Sequence, residues 1–347
     1  MKILLVSVKS ECSRGGIATW TSRYLKNCEA HDFFCDIVNT EMVGKRKTGE
    51  SSRRNLFNEF FRTRRIFEDL KKHLKNTKYD VAHLNTSCGF FGLFRDYFVA
   101  KRIKRKKIRL ITHFHCDIPY WISNKVSKYV LGKLVAISDE NLVLCENSRL
   151  YLKKAFDVDS RKVPNFIDDT LIKSEGKYIT TTLSTVVFVG RVSEAKGARE
   201  LYLLAEHFPN LDFRLVGDIH KEVLSWHRPS NITFVGSVPH NVVIEEIDKA
   251  DVFIFPSHTE GFSLALTEAM ARGVPSIVTN VGANADMLDG DCGILVTVGD
   301  VFAMENALAR FHSFDERYRT SQNAIEKVKK KYSEQVVFEA FKEIYQL

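Results

Sequence analysis

The chain has 347 residues, with 51 Lys and Arg against 43 Asp and Glu and 44% hydrophobic residues. That is the balance of a soluble protein large enough for two cores, since single cores rarely outgrow about 250–300 residues. No apolar run approaches the roughly 18 residues of a membrane span, and the apolar stretch of the opening MKILLVSV is too short for a signal peptide, so it reads as a buried first strand. Seven cysteines, an odd number without a C-x-x-C pair, argue against a disulfide framework and fit a reducing, cytoplasmic setting.

Strand-like runs alternate with helical ones along the whole chain. In the first half KILLVSV, FFCDIVN, YDVAHLN, IRLITHFH, KLVAIS and RKVPNFI read as strands, separated by amphipathic stretches such as 54–76 and 91–107. In the second half TVVFVGRV, DFRLVGD, ITFVGSV, DVFIFPS, PSIVTN and CGILVTV do the same. Such alternation implies parallel sheets covered by helices. Residues 1–175 carry 34 Lys and Arg against 20 Asp and Glu, whereas residues 176–347 carry 17 against 23. This change of sign, with the polar segment 168–184, places a domain boundary near residue 170.

The excess positive charge lies in GKRK (44–47), RTRR (62–65) and KRIKRKKIR (101–109). Nucleic acid is disfavoured as a partner because aromatic platforms at RNA-binding spacing and DNA-binding motifs are missing. An anionic membrane or an anionic acceptor fits better, the alternative being a plain solvated face. Two stretches, NLFNEFFRTRRIFEDLKKHLKN and GFFGLFRDYFVAKRIKRKK, combine aromatics with Arg and Lys, as helices lying in a headgroup layer do. The alternative is that these aromatics are core.

The stretch FPSHTEGFSLALTEAMARGVPSIVTN (255–280) carries the chemistry. A helix beginning near Ser263 aims unpaired N–H groups and a partial positive charge back at its loop. The backbone of Gly261, Phe262, Ser263 and Leu264 is therefore a ready anion site. Glu260 stands beside that anion, able to accept hydrogen bonds from hydroxyls, and Glu268, inside the helix, is placed to accept a pair of ribose hydroxyls. One anion flanked by two polyol acceptors describes a sugar nucleotide. Upstream, VVFVGRVSEAKGARELY (186–202) ends a strand at Gly190-Arg191 and opens a helix after Lys196-Gly197, so that Arg191 and Lys196 are placed to neutralise a diphosphate leaving group.

VGR-x4-KG followed by PS-x2-EGF-x5-EA-x3-G-x-P resembles the retaining nucleotide-sugar glycosyltransferases of family 4, with Glu260 and Glu268 meeting the E-x7-E spacing. The likeness extends to Arg14-Gly15-Gly16, to YDVAHLNTS, to THFHCD and to KVPNFID, in which Phe166 stands where the family usually has Gly. The resemblance implies the GT-B fold: α/β, two doubly wound Rossmann-like parallel-sheet domains facing across a cleft. Residues 1–168 would form the acceptor-binding domain, with the helix 332–347 crossing back to it, and 169–331 the nucleotide-sugar domain. It further implies that Arg191 and Lys196 hold the diphosphate with the amides of Ser263 and Leu264 and with Gly15 and Gly16. Glu268 would take the ribose; Glu260, Gly261 and Phe262 the donor sugar; Ser237 and Val238 would lie near the base; and His115 would contact the transferring sugar and the acceptor. Such enzymes need no bound metal or other cofactor.

The expected activity is retaining transfer of a hexose or N-acetylhexosamine from a UDP-sugar, or else a GDP-sugar, to a saccharide or lipid-linked acceptor in surface polysaccharide or lipopolysaccharide synthesis. The expected place is the cytoplasm, at the inner face of the membrane. The rivals are an epimerase of the same fold and a non-catalytic sugar-nucleotide binder. GFSLA (261–265) approaches a G-x-S-x-G nucleophile elbow, but Ala265 replaces the last Gly and only His312 follows Ser263, in what reads as a surface helix. No G-x-G-x-x-G or Walker A run occurs. A zinc set of His113, His115 and Cys116 lacks further paired ligands, and the Asp-x-Asp of DVDS (157–160) is alone. His113 is expected to be buried and hydrogen-bonded.

Overall fold

A computed structural model describes residues 1–9, 16–42 and 56–346. The chain forms two compact units, Met1–Pro164 with Phe338–Leu347, and Asn165–Val337. Each is built on a six-stranded sheet whose neighbouring strands all pair in parallel.

The first unit holds β1 (Lys2–Ser7), β2 (Phe34–Asn39), β3 (Val81–Thr86), β4 (Arg109–Phe114), β5 (Glu140–Val143) and β6 (Arg161–Lys162), ordered β2-β1-β3-β4-β5-β6. The run KLVAIS is not a strand: it closes the helix Lys125–Ile137, which buries Val130, Leu131, Leu134 and Val135 at helical spacing. The strand is the following ENLV. A short apolar run bears either period, and here the 3.6-residue one prevails. RKVPNFI contributes only Arg161–Lys162 to the sheet, because Pro164 lacks the N–H that a ladder needs.

The helix Leu56–Asn76 buries only Ile66 and Leu70 fully. Phe67, Leu74, Phe94 and Tyr97 pack on the core, while Leu56, Phe57, Phe60, Phe61, Phe90, Phe91 and Phe98 are exposed. The aromatics thus divide between core and surface. Phe60, Phe67 and Leu74 line an apolar groove of about 710 Å³ rimmed by Arg64, Lys71 and Arg105 among other cations. No described helix is long and apolar enough to cross a membrane. GKRK (44–47) lies outside the described residues.

The second unit holds β7 (Thr185–Val189), β8 (Asp212–Val216), β9 (Ile232–Gly236), β10 (Val252–Phe255), β11 (Ser276–Thr279) and β12 (Ile294–Val296), ordered β12-β11-β10-β7-β8-β9. All six lie within the runs that read as strands; β7, β10 and β11 are buried along most of their length, whereas the edge strands β9 and β12 are partly exposed. Chain order reverses between β7 and β10, the position at which open parallel sheets leave a crevice at their carboxyl edge. Phe188, Phe253 and Phe255 stack through the core beneath it.

The last helix, Glu334–Gln346, ends within the first unit, where Phe341 and Tyr345 meet an aromatic cluster. Trp20 and Tyr24 stack with centroids 4.7 Å apart. The Tyr345 hydroxyl lies 2.6 Å from that of Tyr24 and 2.6 Å from Nδ1 of His83. His113, fully buried, lies with Nε2 3.3 Å from the Val163 carbonyl. Burial pushes His113 down to about 3 and His83 well below the ordinary imidazole range.

Both imidazoles are therefore neutral in the folded chain, while the unfolded chain takes up protons from about pH 6.5 downward. Their stabilisation is complete above that pH and is lost as pH falls, by up to about 1.4 kcal/mol per pH unit for each histidine. The melting temperature is expected to fall between pH 7 and pH 5, above the range where most carboxylates titrate, and less steeply in His113→Gln. Equal slopes for the two proteins would refute the burial argument.

Candidate active site

The loops after β7 and β10 emerge side by side at the carboxyl edge of the second sheet, because the two strands are paired. After β7 a turn over Glu194–Lys196 leads through Gly197 into the helix Ala198–His207. Gly197 has φ +81°, and a Cβ there would lie 2.3 Å from the Pro256 carbonyl oxygen. Only glycine allows both the left-handed turn and the close approach of the two loops.

That approach joins two of the expected site residues. Lys196 forms an ion pair with Glu260 and donates to the Thr259 carbonyl at 3.2 Å. The Ser257 hydroxyl, 3.2 Å from Glu260 Oε1 and 3.0 Å from the Thr259 carbonyl, shares its one proton between them and holds the acid in the loop. The Lys196 ammonium also lies 5.8 Å from the centre of the Phe255 ring.

The following helix spans Leu264–Ala271, with Ser263 as its N-cap. The Ser263 hydroxyl accepts from the Leu266 amide at 3.1 Å and is buried. It is thus committed to capping, which argues further against a nucleophilic serine. The Phe262 ring turns inward against Tyr332, 5.5 Å between centroids, so this residue has only backbone to offer a ligand. Gly261 is half-buried, and its carbonyl accepts from the Ala283 amide at 3.0 Å.

Glu268 is 7% exposed and its Oε1 lies 3.0 Å from Nε2 of His240. His240 opens the helix after β9, three residues beyond Ser237, which is exposed, and two beyond Val238, which is half-buried. Sequence reasoning passed over His240; its one signal was its nearness to GSVP. Arg191 stands apart from the Lys196–Glu260 pair: its side chain is 67% exposed, with Nε 3.9 Å from Asp218.

In the first unit Gly16 begins the helix Gly16–Ala30, whereas Arg14 and Gly15 lie outside the described residues. His115 follows β4, its ring 4.1 Å from that of His113 and 4.9 Å from Trp20, and its amide donates to the Thr86 carbonyl at 2.8 Å. Phe166 is buried. His312 lies in a turn, not a helix. Asp157 and Asp159 point into solvent and pair with Lys153 at 2.8 and 3.2 Å. Among the described residues no three His, Cys, Asp or Glu side chains cluster as metal ligands, and six cysteines are free thiols.

Two parallel doubly wound sheets, each with its own helical cover, are the architecture of the GT-B fold. Two family models match, "Glycosyltransferase Family 4" over residues 14–171 and "Glycosyl transferases group 1" over residues 184–313. The chain belongs to the group 1, family 4-like glycosyltransferases.

Among curated relatives it is 27% identical over 314 residues to an uncharacterized 41.2 kDa protein in the cps region of Klebsiella pneumoniae, covering 84% of this chain and 85% of that protein. It is 27% identical over 260 residues to the 2-deoxystreptamine N-acetyl-D-glucosaminyltransferase of Niallia circulans, covering 65% of each, just under two thirds. Among solved structures, the sucrose-phosphate synthase of Thermosynechococcus elongatus superposes with a TM-score of 0.81 at 18% identity, covering 99% of this chain and 98% of that one. Anabaena HepE, solved with UDP and glucose, gives 0.72 at 16% identity, covering 100% and 99%.

The close approach of the two loops makes Gly197 far less replaceable than Gly236, whose φ is +77° but whose Cβ would meet open space. Gly236→Ala is expected to cost about 1–2 kcal/mol from backbone strain alone. Gly197→Ala is expected to cost at least twice as much, read by urea denaturation. Equal losses would mean that the contact with Pro256 does not constrain the loops.

Proposed function

We propose that this glycosyltransferase retains anomeric configuration and moves a hexose or N-acetylhexosamine from a nucleotide-diphosphate sugar, UDP in preference to GDP. The acceptor is a saccharide or a lipid-linked saccharide in surface polysaccharide or lipopolysaccharide synthesis. The observation that carries the reading is the Lys196–Glu260 pair beside the N-terminus of the Leu264–Ala271 helix, at the reversal of strand order. It supplies a cation and amide donors for a diphosphate next to an acceptor of sugar hydroxyls. The likeness to HepE supports UDP, and the relatives from Klebsiella pneumoniae and Niallia circulans support a capsule-type product and an N-acetylhexosamine.

In the proposed mechanism the bond from the anomeric carbon to the phosphate oxygen breaks as the acceptor oxygen bonds to the same face. The departing phosphate oxygen takes the acceptor's proton. Arg191 and Lys196 neutralise the charge that develops on the diphosphate, with the amides of Ser263 and Leu264. Glu268, oriented by His240, accepts from the ribose, and Ser237 and Val238 flank the base. Glu260 and the backbone of Gly261 and Phe262 hold the donor sugar, and His115 is assigned to the transferring sugar and the acceptor. No bound metal takes part.

The enzyme works in the cytoplasm, attached to the inner membrane face. Exposed Phe57, Phe60 and Phe61 among Arg64, Arg65 and Lys71 support attachment to an anionic bilayer, where apolar insertion and charge attraction act together.

Nucleotide sugars carrying UDP are expected to raise the melting temperature more than those carrying GDP, with and without EDTA. Arg191→Ala and Lys196→Ala are each expected to lower turnover by about 100-fold or more. Near-normal turnover in either variant would overturn the leaving-group assignment, and loss of turnover in EDTA would overturn metal independence. Sedimentation with phosphatidylglycerol vesicles, but not with phosphatidylcholine vesicles, is expected for the parent and is expected to weaken in a Phe57→Ser/Phe60→Ser/Phe61→Ser variant. Equal sedimentation of parent and variant would remove the attachment surface.

A further inference from the structure

The loops after β7 and β10 are joined by more than the Lys196–Glu260 pair. The His258 amide donates to the Ala195 carbonyl at 3.1 Å, and Nε2 of the same residue lies 2.6 Å from Oε1 of Glu200. Glu200 sits in the first turn of the Ala198–His207 helix and is only 6% exposed. Its second oxygen, Oε2, is buried with no hydrogen-bond partner among the described residues. A carboxylate is costly to bury unless it is paired. Its place near a helix N-terminus offsets part of that cost, and the imidazole supplies the partner. Stability alone would be served as well by an apolar side chain at position 200.

The placement of the pair indicates what it does. Glu200 follows Lys196 by four residues, and His258 precedes Glu260 by two, so the hydrogen bond between them adds to the ties of the segment bearing the cation to the loop bearing the acid. Gly197 has already removed the steric bar to their approach. We propose that Glu200 and His258 are positioning residues of the donor site. Their bond holds the β10 loop against the β7 helix, so that Lys196 and Glu260 face the diphosphate and its sugar together. The inference rests on the proposed donor site and adds two residues that touch no substrate themselves.

The test is calorimetric binding of UDP and of UMP to the full chain, with GDP and GMP used instead if the parent prefers guanine. His258→Ala and Glu200→Ala are each expected to weaken UDP about tenfold while UMP changes by less than about twofold. His258→Gln, whose amide can still donate to Glu200, is expected to restore most of the UDP affinity. In a Lys196→Ala background His258→Ala is expected to cost nothing further. A pair that only stabilised the fold would weaken UDP and UMP alike, and that result, unchanged UDP binding, or full additivity with Lys196→Ala would overturn the proposal. If one alanine variant does not fold, the other and His258→Gln carry the same ratio. A parent that binds neither UDP nor GDP sinks the donor site itself, whereas a binding parent with unchanged variants sinks only the role of the pair.

Discussion

Everything at the candidate site depends on one topological constraint: in a parallel sheet all carboxyl ends lie on one edge, and where strand order reverses, two neighbouring strands send their chains away in opposite directions. Here those strands are β7 and β10. The loops that follow them approach each other closely, and at Gly197 there is no room for a Cβ beside the Pro256 carbonyl. The Lys196–Glu260 pair is a consequence of that closeness, since two opposite charges brought together out of bulk water attract more strongly than they would across an open surface.

The first unit meets a different problem, that of burying polar rings. His83 and His113 lie on neighbouring central strands, with Asn85 opposite His113 in the register. Tyr345 meets one ring nitrogen of His83 and the Val163 carbonyl one of His113, while the second nitrogen of each is buried without a hydrogen-bond partner among the described residues. Because Tyr345 comes from the final helix, closing the core and pairing His83 Nδ1 are one event, which ties the docking of that helix to a buried polar contact. His115 inherits the arrangement: its ring rests on His113 and Trp20, so its orientation is set by packing that begins at the far end of the chain.

The second unit was more legible in sequence than the first, for a physical reason. Its central strands, β7, β10 and β11, are buried along most of their length, so they appear as apolar runs, and the helix after Phe262 announces itself by Ser263. In the first unit KLVAIS has the composition of a strand and the surroundings of a helix, and nothing local separates the two. The aromatic-rich helix Leu56–Asn76 mixes Ile66 and Leu70, which face the core, with phenylalanines that do not. Within the site, residues whose role comes from their own loop, Lys196, Glu260 and Ser263, could be read directly. Glu200, His240 and His258 could not, because each acquires meaning only from a partner 28 or 58 residues away.

The charge asymmetry also takes a more definite meaning. The half of the chain that carries the proposed diphosphate site has an excess of acids, 23 against 17, so its net field opposes an anionic ligand. Beyond about 8 Å at physiological ionic strength that opposition is screened, and at contact distance the local groups decide: one half-buried lysine, an exposed arginine and the amides of a helix end. A grip of this kind favours a ligand with a compact double phosphate over diffuse polyanions, because only the former concentrates its charge where the few donors converge. The basic half has the opposite character, with its cations spread over exposed helices beside phenylalanines, a distribution suited to an extended anionic surface. On the proposed function, a few convergent donors in one unit would take a compact diphosphate, and cations spread over exposed helices in the other would take an extended anionic surface.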